Sequence, residues 1–295
     1  MSNHRRPQPQ SDPALVRFAR VYGWRAYAIP VLAVVTVFLI MSILRTPEDE
    51  MVGAHTSEAQ PTSLQAPRQL PEGDVAPTQL PPGAEFAQQG DGTYRTVGQP
   101  GATVGEGKEN TVRYVVEIEN GVNTTGYGGD EAFAAMVDAV LADPRGWTND
   151  PRFRFEHVAP DQDPTLRIQL TSVGTTREKC GADIEIETSC RLLDQETEQD
   201  RVLINESRWV RGAVPFQGDL GQYRQYMVNH EVGHALGFAD HVPCGGPNQL
   251  APIMMQQTLS MSNAELRKFS NESVYPDNTD TCRPNPWPYP RPSST

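Results

Sequence analysis

The chain contains the stretch His230-Glu231-Val232-Gly233-His234-Ala235-Leu236-Gly237-Phe238-Ala239-Asp240-His241. Residues 223–229 before it include no proline or glycine, so the pattern predicts one helix that continues through both early histidines. Histidines four positions apart lie about 40° from each other around a helix axis, so both imidazoles project from one face. Gly237 can end the helix in a left-handed conformation and turn the following residues back towards that face.

This arrangement predicts a site for one zinc ion. His230 and His234 supply two ligands, and Asp240 or His241 supplies the third, since carboxylate and imidazole both coordinate zinc at about 2.0–2.2 Å. Glu231 would then take a proton from the water that attacks a peptide bond and return it to the leaving amine. The alternative is a surface helix with two solvated histidines, which the spacing of the glycine and the third ligand disfavours.

The stretch from His230 to about Met255 resembles the metzincin clan of zinc metallopeptidases, which shares the pattern H-E-x-x-H-x-x-G-x-x-(H/D). The segment Pro252-Ile253-Met254-Met255 is similar to the methionine turn of that clan, in which Met254 would support the metal site without touching the metal. Small secreted bacterial metzincins of the snapalysin type carry aspartate at the position of Asp240, so this resemblance favours Asp240 as the third ligand. It implies a metzincin-like α+β fold and zinc-dependent endopeptidase activity.

A wider region, from roughly Gly83 to the C-terminus, is similar to a bacterial family, the domain of unknown function 3152. The matching segments are Arg113-Tyr114-Val115-Val116-Glu117-Ile118-Glu119-Asn120-Gly121, Asn229-His230-Glu231-Val232-Gly233-His234, Ala251-Pro252-Ile253-Met254 and Cys282-Arg283-Pro284-Asn285-Pro286-Trp287-Pro288. The similarity implies a zinc-dependent peptidase of the cell envelope, with a peptide or protein as its substrate. In that family a histidine stands more often where Asp240 is, so Asp240 and His241 both stay candidate ligands.

The N-terminal part predicts a membrane anchor. Ala26–Leu44 is a run of 19 residues without a charged side chain, and about 20 apolar residues cross a bilayer as a helix. A cleaved signal peptide is the alternative, but its apolar core is usually only about 7–15 residues long. Arginines precede the span and acidic residues follow it, which places residues 1–25 in the cytoplasm and the rest outside the plasma membrane.

Composition divides the exterior part into a stalk and a domain. Residues 45–82 are rich in Pro, Gln, Ser, Thr and Ala, which predicts a disordered spacer, and residues 83–295 are long enough to form a folded domain. Setting aside the six arginines and the one aspartate of residues 1–45 leaves 19 basic and 36 acidic residues, a formal charge of −17. Such an acidic surface argues against nucleic acid as a partner.

The four cysteines all fall in the exterior part, where disulfide bonds can form. Three pairings are possible, and we expect Cys180–Cys190, which closes a short loop, together with Cys244–Cys282, which ties the segment after the zinc helix to the C-terminal tail. A zinc site built from cysteines is the alternative, but the sequence contains no C-x-x-C pair.

Hydrophobic patterns predict an α+β domain with a mixed β-sheet, a helix that bears the zinc motif and an irregular C-terminal part. Helices are expected at Asp130–Ala142 and, shorter, near Ala264–Phe269. The resemblance to metzincins makes Arg201–Trp209 the candidate for an edge strand that pairs with an extended peptide, and an ordinary buried strand is the alternative. Strands are expected at residues 93–97, 112–118, 153–158, 166–170 and 202–204.

Two other functions fit the same residues. One is a membrane-tethered module of the cell envelope that binds a wall component without cleaving it. Its zinc site would be structural or vestigial. The other is a zinc amidase that cleaves peptidoglycan peptides. The presence of Glu231 beside His230 favours catalysis, because a structural zinc site has no use for a base there. Tyr275 and Tyr289 are the candidates for a tyrosine that helps stabilise the developing oxyanion.

Overall fold

The structure, a computed structural model, describes Thr36 and residues 79–181, 188–269 and 274–291. The predicted membrane span at Ala26–Leu44 lies outside these residues apart from Thr36, and so does the stalk before residue 79. Among the described residues, no helix combines the length and the apolar character that crossing a membrane requires. The membrane anchor therefore stays a prediction from sequence.

A seven-stranded mixed sheet forms the centre of the domain. The strands run in the order β2-β4-β3-β5-β7-β6, and β1 pairs with the C-terminal half of β3. Strands β4, β3, β5 and β7 are parallel to one another, whereas β1, β2 and β6 are antiparallel to their neighbours. Their bounds are β1 Tyr94–Val97, β2 Thr103–Gly105, β3 Asn110–Glu119, β4 Phe153–His157, β5 Leu166–Thr171, β6 Cys190–Leu193 and β7 Asp200–Asn205.

Five α-helices accompany the sheet in the described part of the chain. They are α1 Asp130–Ala142, α2 Val173–Cys180, α3 Glu206–Arg211, α4 Leu220–Ala235 and α5 Asn263–Phe269. The helix predicted at 130–142 is confirmed, as is the short helix near 264–269. The domain therefore has the mixed α+β fold that the patterns predict.

The hydrophobic core lies between one face of the sheet and helices α1 and α4. Alternate residues of a strand point to opposite faces, and the residues of β3, β5 and β7 on the helix side are apolar and buried. Fully buried examples are Val116, Ile118, Ile168, Leu170, Val202 and Ile204. The opposite face of the same strands carries polar side chains such as Glu117, Gln169 and Arg201.

Both expected disulfide bonds are present, and they use all four cysteines. Cys180–Cys190 joins the end of α2 to the edge strand β6. Cys244–Cys282 joins the loop that follows α4 to the C-terminal segment, across a sequence separation of 38 residues. The second bond restrains the part of the chain that has little regular structure.

The prediction of an edge strand at Arg201–Trp209 is wrong. Strand β7 ends at Asn205 and lies between β5 and β6, so it is an inner strand, and β6 forms the edge of the sheet on this side. The chain then enters α3, because the Asn205 side chain accepts a hydrogen bond from the Ser207 N–H at 2.9 Å and caps that helix.

Candidate metal centre

Helix α4 carries the two early histidines of the motif into the core. It begins where the Asp219 side chain accepts a hydrogen bond from the Gln222 N–H at 2.9 Å. It ends at Ala235, and Gly237 follows with a φ of 96°, as the motif predicts. The Phe238 N–H returns to the Gly233 carbonyl oxygen at 3.0 Å, so the chain reverses direction beside the last turn of the helix.

Three histidines converge at the end of this helix. His230, His234 and His241 each offer one ligand atom, and these atoms all lie within 4.8 Å of one another. The ring centroid of His230 is 4.8 Å from that of His234 and 5.4 Å from that of His241, and the latter two are 5.3 Å apart. Among the described residues this is the one group of its kind that could hold a metal ion.

Backbone carbonyls orient two of these rings. His230 Nδ1 lies 2.8 Å from the Ile253 oxygen, and His234 Nδ1 lies 2.9 Å from the Phe238 oxygen. A carbonyl oxygen can only accept, so each Nδ1 carries the proton and each Nε2 keeps its lone pair. Metal-binding histidines are held in this way, and the three residues therefore fit a zinc ion with an open fourth position.

The third member of the group is His241 and not Asp240, the residue that the snapalysin resemblance favours. Asp240 is exposed and does not belong to the group of three, whereas the His241 ring is half-buried and stacks against His230 with an angle of 14° between the planes. A backbone hydrogen bond explains why His241, and not Asp240, lies against His230. The Val242 N–H donates to the Met254 oxygen at 3.0 Å, and this contact holds the preceding residue, His241, against the site.

Burial sets the protonation of the motif residues. It lowers the pKa of His230 well below its ordinary value, and the neighbouring His234 and His241 lower it further, so the ring is neutral and able to bind a metal. Burial also raises the pKa of Glu231 to about 8. A cation bound nearby would favour the charged carboxylate again.

The Glu231 carboxylate has no structural partner in the part of the chain that the structure describes. Its residue is 5% exposed, yet the side chain forms no hydrogen bond or ion pair there. Burial without a hydrogen bond disfavours the charged form of this carboxylate, which agrees with its raised pKa. Such a group is typical of a site where a ligand or a reacting molecule supplies the missing contact.

The turn that follows the site packs beneath helix α4. The Met255 N–H donates to the Pro252 oxygen at 3.0 Å and closes the turn, and Tyr226 OH of the helix donates to the Met255 oxygen at 2.9 Å. A Cβ added to Gly233 would lie 2.5 Å from Met254 Sδ. The glycine of the motif thus lets the predicted methionine, Met254, lie directly against the helix.

Residues 80–290 match the profile of a family described as "Protein of unknown function (DUF3152)". The chain belongs to the DUF3152 family. No curated protein and no solved structure matches it significantly. The matched residues include the three histidines, Glu231 and every strand and α-helix described above.

Several residues that support the centre of this DUF3152 domain were not found from sequence. The indole Nε1–H of Trp147 donates to the Asn229 carbonyl oxygen at 2.9 Å, and the Asn229 amide donates to the Pro286 oxygen at 2.9 Å. The Gln257 amide donates to the Asn285 oxygen at 2.9 Å and accepts from the Asn285 N–H at 2.9 Å. These contacts bring together residues far apart in the chain, so no local pattern predicts them.

The two candidate tyrosines have different surroundings. Tyr275 is buried, and its hydroxyl oxygen accepts a hydrogen bond from the Gln256 N–H at 3.3 Å, at the end of the methionine-containing turn. Tyr289 is half-buried, and its hydroxyl donates to Asp150 Oδ2 at 3.3 Å. Tyr275 therefore lies beside the turn that supports the site, whereas Tyr289 is bonded to a loop near the start of β4.

Proposed function

We propose that this DUF3152 protein is a zinc-dependent endopeptidase of the metzincin type. The observation that carries the proposal is the convergence of His230, His234 and His241, together with the buried carboxylate of Glu231, which follows His230 in the same helix. Three histidine ligands leave one zinc position open for reaction, whereas a structural site usually closes it with a fourth side chain. The position of Met254 against the helix supports the metzincin assignment.

Zinc bound here would supply Lewis acidity, which polarises a scissile carbonyl and makes a water molecule a better nucleophile near neutral pH. The protein's own residues orient the ligands and move the proton. The Ile253 and Phe238 carbonyls hold His230 and His234 in the required tautomer. Glu231 takes the proton of the attacking water and delivers it to the leaving amine, a role for which a carboxylate without a structural hydrogen bond is free.

The place of action is proposed from the sequence and from the disulfide bonds. The charge-free run at Ala26–Leu44 favours a single-pass anchor with the domain on the outer side. Two disulfide bonds support a compartment that is oxidising. The substrate would then be an exposed peptide or protein segment outside the plasma membrane.

The test compares hydrolysis by the zinc-loaded protein and by its Glu231→Gln variant. The substrate is an unfolded protein, and fragments are counted by mass spectrometry. We expect the variant to keep its zinc and to lose about 10²- to 10⁴-fold in rate, since it loses the proton carrier alone. The matched control is Glu131→Gln, which changes an exposed glutamate in α1 and should cleave at the wild-type rate.

Each outcome separates the candidate functions. Cleavage by wild type and by Glu131→Gln, but not by Glu231→Gln, supports the peptidase. Wild-type activity in Glu231→Gln contradicts the role of Glu231. Turnover of peptidoglycan peptides without turnover of unfolded protein would replace the endopeptidase with an amidase. Zinc binding without any hydrolysis would favour a binding module.

A further inference from the structure

The sheet carries a second polar site on the face that points away from α1 and α4. A cleft of about 330 Å³ lies there, formed by residues of β1, β3, β5 and β7 and by the turn between β6 and β7. Its floor is a row of polar side chains that includes Glu117 and Gln169, which are 6% and 2% exposed. The volume is at the lower end of the range for small-molecule sites, about 300–1,000 Å³.

Two arginines face this cleft from neighbouring strands. Arg167 and Arg201 are register partners in β5 and β7, and like charges directly opposite each other on adjacent strands are unfavourable unless they are compensated. Arg167 is compensated. Its Nη1 lies 2.5 Å from Glu117 Oε1, and its Nε donates to Gln199 Oε1 at 3.0 Å.

The charge of Arg201 helps to lower the pKa of Asp194, but Arg201 forms no hydrogen-bonded ion pair with that carboxylate. Its Nε donates to the neutral Gln169 Oε1 at 3.0 Å, and its guanidinium carbon lies 5.6 Å from the centre of the Tyr94 ring. In the part of the chain that the structure describes, no carboxylate forms an ion pair with Arg201, and its two Nη groups donate no hydrogen bond. Those donors form the planar fork that matches a carboxylate.

The acidic groups of the cleft are already engaged. Glu117 bonds Arg167 and also accepts from Gln169 Nε2 at 2.6 Å. Asp194 accepts the backbone N–H groups of Glu196 at 3.0 Å and of Thr197 at 3.1 Å. The two arginines and two carboxylates of the cleft balance in formal charge, but among the described residues the Nη groups of Arg201 have no acceptor, and the two carboxylates would repel a ligand that carries several negative charges.

We propose that the cleft binds a small monocarboxylate with an uncharged polar body, anchored by the guanidinium of Arg201. The Tyr94 ring supports that guanidinium from one side. Thr197 and Gln199 at the rim offer hydrogen-bonding groups to the rest of the ligand. This site lies on the other face of the sheet from the three histidines, so it does not depend on the proposed peptidase.

The test uses the full chain in detergent and two matched probes, N-acetylglycylglycine and its neutral amide. Calorimetry should detect saturable binding of the carboxylate probe and binding about tenfold weaker or absent for the amide. Arg201→Gln should weaken binding of the carboxylate about tenfold to a hundredfold. Arg152→Gln changes an exposed arginine that is paired with Asp150 and should bind like wild type.

A second measurement needs no variant. Phenylglyoxal modifies accessible arginines, and mass spectrometry reports the extent at each position. The carboxylate probe should slow modification of Arg201 at least severalfold and leave Arg152 unchanged. Equal binding of the two probes, or equal binding by wild type and folded Arg201→Gln, would overturn the proposal, and so would modification of Arg201 that the probe does not slow.

Discussion

The close contact between Gly233 and Met254 predicts how much the substitution Gly233→Ala destabilises the domain. A Cβ at position 233 would lie 2.5 Å from Met254 Sδ and 2.7 Å from Trp147 Cζ2, and both distances are too short for real side chains. The methionine is flexible, but the indole is fixed by its hydrogen bond to the Asn229 oxygen. Gly233→Ala must therefore push Trp147, Met254 or helix α4 out of place.

The expected cost combines two opposing effects. Overpacking a core typically costs about 1–3 kcal/mol. Alanine is preferred over glycine in a helix interior by about 1 kcal/mol, which offsets part of that cost. We expect Gly233→Ala to lower the free energy of unfolding by up to about 2 kcal/mol, and so to be about 1–3 kcal/mol less stable than a variant that gains the helix preference without the clash. It should also weaken zinc binding, because the same turn carries the Ile253 oxygen that orients His230.

Urea unfolding of residues 79–295, followed by tryptophan fluorescence without metal, measures this change. The control is Gly221→Ala in the same helix, where the nearest atom to an added Cβ is Asp219 Oδ1 at 3.4 Å, an ordinary contact. That variant should be as stable as wild type or slightly more stable. If Gly233→Ala were as stable as Gly221→Ala, the close packing of helix α4 on the methionine would be refuted.

Three further predictions concern the surrounding fold. Arg95 lowers the pKa of Asp130 by hydrogen bonding. This pair therefore stabilises the fold at pH values above the unfolded pKa near 3.8, and the stabilisation is lost as the pH falls through the lower folded pKa. Asp130→Asn should flatten the acid side of a plot of melting temperature against pH. Trp147→Phe removes the indole donor to the buried Asn229 carbonyl and should lower the free energy of unfolding in urea by about 1–3 kcal/mol. A change below about 0.5 kcal/mol, as is usual for substitutions at the surface, would argue against that hydrogen bond. Thiol labelling of the denatured, unreduced protein should find no free cysteine; four labelled thiols would contradict both disulfide bonds.

Local patterns predicted the elements that have strong periodicity. The helix Asp130–Ala142 shows apolar residues at helical spacing, and each of the five predicted strands overlaps an observed one. The sequence does not predict β2, which is only three residues long, or β6, whose residues Cys-Arg-Leu-Leu do not alternate between apolar and polar. The edge strand expected at Arg201–Trp209 came from the resemblance to metzincins, because a sequence does not reveal which strand lies at the edge of a sheet.

The three clustered histidines show which part of the site local patterns do not predict. The spacing of His230 and His234 is a property of one helix, so the sequence was sufficient to pair them. The choice between Asp240 and His241 depends on the hydrogen bond from Val242 to Met254, between residues 12 positions apart. The supporting contacts of Trp147 and Asn285 bridge still longer separations, so no local pattern predicts them.

The measurement that tests the central claim most directly is the zinc content of the purified full chain by elemental analysis, with His241→Ala and Asp240→Ala beside the wild type. We predict about one zinc per chain in the wild type and in Asp240→Ala, and loss of most of it in His241→Ala. Full zinc content in His241→Ala together with its loss in Asp240→Ala, or no zinc in the folded wild-type protein, would contradict the three-histidine centre.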